Sequence, residues 1–198
     1  MNYNLDENKK IGEAKIKPAN CVVDFDETLL SVDSTAYIIK NEKLYFNWRL
    51  VFWVAMFFLV KFFLPRRCQF AVRQRAKYAV LNILQKKGQD KMITKYAKIF
   101  SSRLDFELIN HIQKNYSKIY VISSAWQPLI LATLASAGVA GFQVIGTVMT
   151  QNFADFRICW YTNKVAVIQK MKLDKFDLFT DSDDDRPLMK LAQKVTIV

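Results

Sequence analysis

The sequence predicts an α/β molecule, a doubly wound parallel sheet with a helical cap inserted after its first strand. Three observations carry that prediction. Short apolar runs alternate with helical patterns over the second half of the chain. Three polar residues, Asp24, Ser123 and Asp181, directly follow such runs. The stretch from about residue 30 to 105 breaks the alternation and reads as almost wholly helical, dense in apolar and basic side chains.

Taken in order, residues 1–16 are polar and charged and read as a loose tail without the apolar core of a signal peptide. Cys21-Val22-Val23 is a short buried strand ending at Asp24. Further strands are expected at Ile119 to Ile122, Phe142 to Val148, Phe176 to Thr180 and Val195 to Val198. Helical patterns separate them at Trp126 to Ala137, Asn163 to Met171 and Pro187 to Gln193. A crossover between parallel strands needs one helix, and the first crossover is far longer than that. The chain therefore divides into a core of residues 17–32 and 106–198 and a cap of residues 33–105.

Composition narrows the chemistry. Hydrophobic residues make up 52% of the 198, enough for a sizeable core and too many for a disordered chain. The net charge of +11 suggests an anionic partner, or a basic solvated surface. Cys21, Cys68 and Cys159 are odd in number and widely spaced, as expected of reduced cytosolic thiols. With His111 the only histidine, a Cys/His zinc site or a Ser-His-Asp triad has almost no material. Any metal must be held by carboxylates, which selects a hard cation such as magnesium.

Two acidic clusters follow predicted strands. Asp24-Phe25-Asp26-Glu27-Thr28 sets two carboxylates two residues apart, one able to attack phosphorus and the other to protonate a leaving oxygen. By itself the spacing also suits an Asx-turn or helix cap. In Thr180-Asp181-Ser182-Asp183-Asp184-Asp185 four carboxylates in five residues repel one another unless a cation sits among them or the loop is solvated.

Together these residues resemble the haloacid dehalogenase-like phosphatases. The DxDx[TV] motif matches Asp24 to Thr28, and a serine closing an apolar strand matches Ser123. A lysine at a helix start matches Lys164, and DxxxD matches Asp181 and Asp185. All four occur in order over roughly residues 20 to 198, and the wording from Thr180 to Leu188 is similar to the phosphoserine-phosphatase-like branch. The resemblance implies a Rossmann-like parallel sheet core and a phosphoaspartyl mechanism. Asp24 would be nucleophile and metal ligand. Asp26 would be acid and then base, its carbonyl also on the metal. Ser123 and Lys164 would hold the phosphoryl oxygens, and Asp181 and Asp185 would complete the Mg2+ site. Thr28, Ser124 and Trp126 are expected to line the substrate, Trp126 standing where relatives often carry proline or glycine nearby. Asp183 and Asp184 are spare carboxylates, and Lys170 and Lys172 are weaker rivals of Lys164. Glu27 stands where many members have glycine.

The cap adds a second expectation. Leu50 to Leu64 is apolar apart from Lys61, too short for a comfortable membrane span, and Arg66, Arg67, Arg73, Arg75 and Lys77 follow it. Phe52, Phe57, Phe58, Phe62 and Phe63 form either the cap's own core or an interfacial segment on an anionic membrane surface. A loose similarity to phosphatidylglycerophosphate phosphatase-type members, including Gln127-Pro128-Leu129, points the same way. The expected protein is a cytoplasmic, magnesium-dependent phosphomonoesterase, peripheral on a membrane if its substrate is a lipid or polyprenyl phosphate. The alternatives are a soluble phosphatase of phosphoserine- or phosphosugar-like metabolites, and a basic membrane- or nucleic-acid-binding module with a vestigial site. No helix-turn-helix, RNA-binding or zinc signature supports nucleic acid. The sequence sets neither the oligomeric state nor the acceptor, water or another alcohol.

Overall fold

The central strand is the first one. In the computed structural model, which describes residues 20–63 and 66–198, β1 (Asn20–Val23) is flanked by β2 (Lys118–Trp126) and β4 (Asp177–Thr180). With β3 (Phe142–Thr147) and β5 (Lys194–Ile197) they form, among the described residues, a five-stranded sheet in the order β3-β2-β1-β4-β5. Every pairing is parallel, with Val23 level with Val121 on one side and Phe179 on the other. Cys21, Val22 and Val23 are completely buried, as a strand covered on both faces requires. Because β1 is followed in space by β2 on one side and β4 on the other, the strand order reverses beside it. In open α/β sheets the crevice at such a reversal, beyond the carboxyl ends, is where ligands bind.

Between β1 and β2 run, among the described residues, five α-helices. They are α1 (Ser34–Asn41), α2 (Trp48–Phe63), α3 (Arg66–Lys86), α4 (Gln89–Ser101) and α5 (Phe106–Asn115). Asp33 caps α1 by accepting from Ala36 N at 2.8 Å, and Asp105 caps α5 by accepting from Leu108 N at 2.9 Å. Helix α4 buries Met92, Tyr96, Ala97 and Phe100, a spacing that lies along one helical face. That face joins Leu129, Ile130 and Leu134 of α6 (Gln127–Ser136) in the main apolar cluster. The inserted helices thus share a core with the sheet layer. At the end of α1, Glu42 accepts from Lys95 at 2.6 Å, Lys87 at 2.8 Å and Tyr96 at 2.8 Å, fastening α1 to the middle of α4 and to the turn before it.

The chain closes with α7 (Thr162–Lys170) and α8 (Arg186–Met189). Three differences from the sequence expectation have physical reasons. Strand β2 continues past Ser123 to Trp126, with an irregularity between Ile122 and Trp126 where its pairing with β3 shifts. Gly146 on β3 permits this, since a Cβ there would lie 2.9 Å from the Ala125 carbonyl oxygen. Helix α8 is one turn, shorter than Pro187 to Gln193. Helix α5, for which the sequence pattern named no element, carries the first crossover back to the sheet, burying Ile109 and Ile112. The tail of residues 1–16 lies outside the described residues.

Candidate active site

Asp24 follows the last residue of β1, and its backbone N–H donates to Phe179 O at 3.0 Å, fixing it where β1 and β4 end. Its Oδ1 accepts from Phe25 N at 2.7 Å and its Oδ2 from Lys164 Nζ at 2.9 Å. Lys164 is buried and also contacts both oxygens of Asp185, at 2.8 and 2.9 Å. Burial opposes its charge, but the Asp24 and Asp185 carboxylates outweigh burial and hold the ammonium above the ordinary lysine value. Thr180 Oγ1 donates to Asp185 at 2.9 Å, and Thr28 Oγ1 donates to Asp181 at 3.0 Å. The first and last motifs are therefore hydrogen-bonded to each other across the ends of adjacent strands.

Asp26 Oδ1 accepts from Ser34 N at 3.0 Å. Burial pushes its carboxyl up to about 7, with Lys77 pulling it down and Asp33 pushing it up. An acid of that strength carries a proton at neutral pH for part of the time, as a donor to a leaving oxygen must. Glu27 adopts a left-handed φ of 57°, the conformation for which glycine is the usual residue. Tyr161, which precedes α7 and hence Lys164, is also left-handed at φ 52° and ψ −120°.

A cavity of about 90 Å³ is lined by Asp24, Asp26, Lys164, Asp181, Asp185 and Ser124, among others. All of these are residues the sequence singled out. Three others do not line it. Thr28 is buried and donates to Asp181. Ser123 is buried with its Oγ accepting from Ala125 N at 3.2 Å, and the neighbouring Ser124 lines the cavity instead. Trp126 packs within the apolar core, and the indole at the cavity is Trp160. Lys170 and Lys172 are exposed, unlike Lys164. Asp183 pairs with Arg186 at the surface, whereas Asp184 pairs with Arg73 at 2.7 Å and accepts from Trp160 Nε1 at 3.1 Å.

Arg73 is the main residue that sequence reading misplaced. It belongs to the basic set read as a membrane flank, yet it reaches from α3 into the cavity wall, its guanidinium 4.4 Å from the centre of the Trp160 ring. Lys77, one turn further on, is buried and donates to Thr35 Oγ1. The signal was the spacing of four between Arg73 and Lys77, continued by buried Leu81 and Val80, which places both on the inward face.

The donor set suits a hard cation in type, since Asp24, Asp181 and Asp185 offer only oxygen to one small cavity. Among the described residues, no three potential ligands already converge as a cluster: Lys164 spans Asp24 and Asp185, and Thr28 engages Asp181.

Residues 21–190 match the family of haloacid dehalogenase-like hydrolases, so the chain belongs to that family and is a hydrolase. Its fold is similar to that of a phosphoserine phosphohydrolase-like protein from Francisella tularensis subsp. tularensis SCHU S4. That match has 15% identity and a TM-score of 0.57 and covers 90% of this chain and 86% of that one. A protein of unknown function from Bordetella pertussis Tohama I is similar at 13% identity and a TM-score of 0.62, covering 91% and 90%. Cytosolic 5'-nucleotidase IIIB, solved with cytidine, is similar at 13% identity and a TM-score of 0.54, covering 90% and 71%. At such identities the likeness establishes the fold. No curated protein matches the sequence.

Proposed function

We propose that the chain is a magnesium-dependent phosphomonoesterase whose nucleophile is Asp24. The observation that carries this reading is the placement of Asp24 at the end of the central strand, held by buried Lys164 in a cavity lined by Asp26, Asp181 and Asp185. Names among the similar folds, a phosphoserine phosphohydrolase-like protein and a 5'-nucleotidase, support a phosphoric monoester as substrate.

Asp24 Oδ attacks phosphorus and forms a phosphoaspartyl ester while the bond to the leaving oxygen breaks. Asp26 gives its proton to that oxygen, then takes one from the water that hydrolyses the ester and releases phosphate. Lys164 and the hydroxyl of Ser124, which lines the cavity where Ser123 does not, hold the phosphoryl oxygens. Magnesium, held by Asp24, the Asp26 carbonyl, Asp181 and Asp185, would neutralise charge on the phosphoryl group. Thr28 acts through Asp181, which it orients. We assign residues 33–105 as the cap over this site and the rest of the described chain as its core.

The test is hydrolysis of a phosphomonoester panel by purified protein with magnesium and with EDTA. Activity should require the metal, and Asp24→Asn should lower kcat by at least about 10³-fold with the fold intact. Near-normal turnover by Asp24→Asn or with chelator would sink the proposal.

A second reading concerns where the substrate lies. On α2, Trp48, Val51, Phe52 and Leu59 are exposed, as are Tyr45 and Phe46 in the 3-10 turn before it, while Leu50 points inward. Trp48, Phe52 and Leu59 share one helical face. This apolar face supports docking on an anionic membrane surface and a lipid or polyprenyl phosphate as substrate. The side chains of Phe57, Phe58, Phe62 and Phe63, and those of Lys61, Arg66 and Arg67, lie outside the described residues. No helix among the described residues is long and apolar enough to cross a membrane.

A further inference from the structure

Beside the reaction cavity lies a larger one of about 310 Å³, and the two share Asp26, Asp33, Arg73 and Ser124 in their walls. If the phosphoryl group is bound at Asp24, the rest of the ester extends past Asp26 into this second space. It is large enough to take a small leaving group or the head of something longer. Ile39, Leu50, Val80 and Ile158 make most of its wall apolar.

Charged groups interrupt that apolar lining, and of its two cations, Arg73 and Lys77, only Lys77 is buried. Lys77 is 7% exposed, and its Nζ donates to Thr35 Oγ1, a neutral hydroxyl that is also in the wall. An ammonium has three donors to place, and a buried charge is costly unless a counter-charge meets it. Burial holds Lys77 below the ordinary lysine value, outweighing the pull of the nearby Asp26 and Asp33 carboxylates. Asp33 caps α1 and Asp26 accepts from Ser34 N. Arg73, the other cation of the wall, is paired with Asp184.

Resting on the phosphatase reading, we infer that the substrate's leaving group carries a second anionic group, a carboxylate or a phosphate, on a short apolar body, and that Lys77 is its counter-ion. The apolar wall excludes water from around the pair, which strengthens it, and Thr35 orients the ammonium. Lys77 is thus a specificity-determining residue, acting on binding of the leaving group and not on bond cleavage.

The experiment compares three phosphomonoesters of one length with the magnesium-loaded protein: butyl phosphate, 4-phosphonooxybutanoate and butane-1,4-diyl bisphosphate. At least one charged ester should exceed butyl phosphate in kcat/KM by about tenfold or more, carried mainly by KM, and which one does so identifies the anion. In Lys77→Met that ratio should fall to within about threefold, and Lys77→Arg should restore part of it. Butyl phosphate being used as well as both charged esters, or the ratio persisting in folded Lys77→Met, would overturn the inference. Should Lys77→Met not fold, the wild-type ratio alone decides. Failure to split any of the three, or p-nitrophenyl phosphate, would instead overturn the phosphatase reading itself.

Discussion

Asp24, Lys164 and Asp185 form a buried chain of charge in which one ammonium serves two carboxylates. Removing the lysine would leave both acids uncompensated, so Lys164 both supports the site and reacts to its charge. Asp26 differs, since burial holds its carboxyl at about 7. A raised acid pKa means that the folded state binds the proton more tightly than the unfolded chain does. The stabilisation is complete below the unfolded value of about 4 and is lost as pH rises through about 7. In metal-free protein, the wild-type stability relative to Asp26→Asn should therefore fall between pH 4 and 7, measured by urea unfolding across that range. A difference that stays flat would show that Asp26 is not held in this way. The carboxylate pairs were legible in sequence because each directly follows a short apolar run, and a strand end in a parallel sheet has a known relation to ligands. Arg73 and Lys77 were not, because a basic stripe on a helix reads the same whether it faces water or a cavity.

Among the elements, the junction between α1 and α4 is held by Glu42, whose carboxylate meets Lys87, Lys95 and Tyr96 while its own side chain is only 10% exposed. Hydrogen bonds from Lys87 and Lys95 draw its carboxyl down to about 2. Glu42→Gln should cost about 2 kcal/mol of unfolding free energy at pH 7, and the loss should shrink as pH falls from about 4.5 toward 2, where the wild-type carboxylate takes up its proton. A loss near zero at pH 7 would show that the exposed lysines contribute nothing. The strands were readable from their apolar runs to within a residue or two at most ends. The end of β2 was not, because its last residues depend on Gly146 across the sheet, a contact that no local pattern records. Helix α5 was missed because its apolar face, Ile109 and Ile112, lies within a mostly polar run.

Over the whole molecule, the inserted helices present two different surfaces. Arg73, Lys77 and Leu50 face the cavities, and Trp48, Phe52 and Leu59 face outward. If the outward face docks on a membrane, the protein should co-sediment with anionic vesicles, less with neutral ones, and less again at high salt. Replacing Trp48, Phe52 and Leu59 together with serine should lower vesicle binding by about tenfold or more while leaving hydrolysis of a soluble ester in place. Wild-type protein that ignores vesicles would remove the membrane reading and leave the soluble substrates.

The central claim is that the phosphoryl group passes through Asp24, and a covalent label tests it most directly. Acid quenching of magnesium-loaded protein during turnover of a 32P-labelled phosphomonoester should leave phosphate on the peptide containing Asp24. The label should be released by hydroxylamine, as an acyl phosphate is, and should be absent from Asp24→Asn. Turnover by wild type without any such label, together with turnover by Asp24→Asn, would contradict the account.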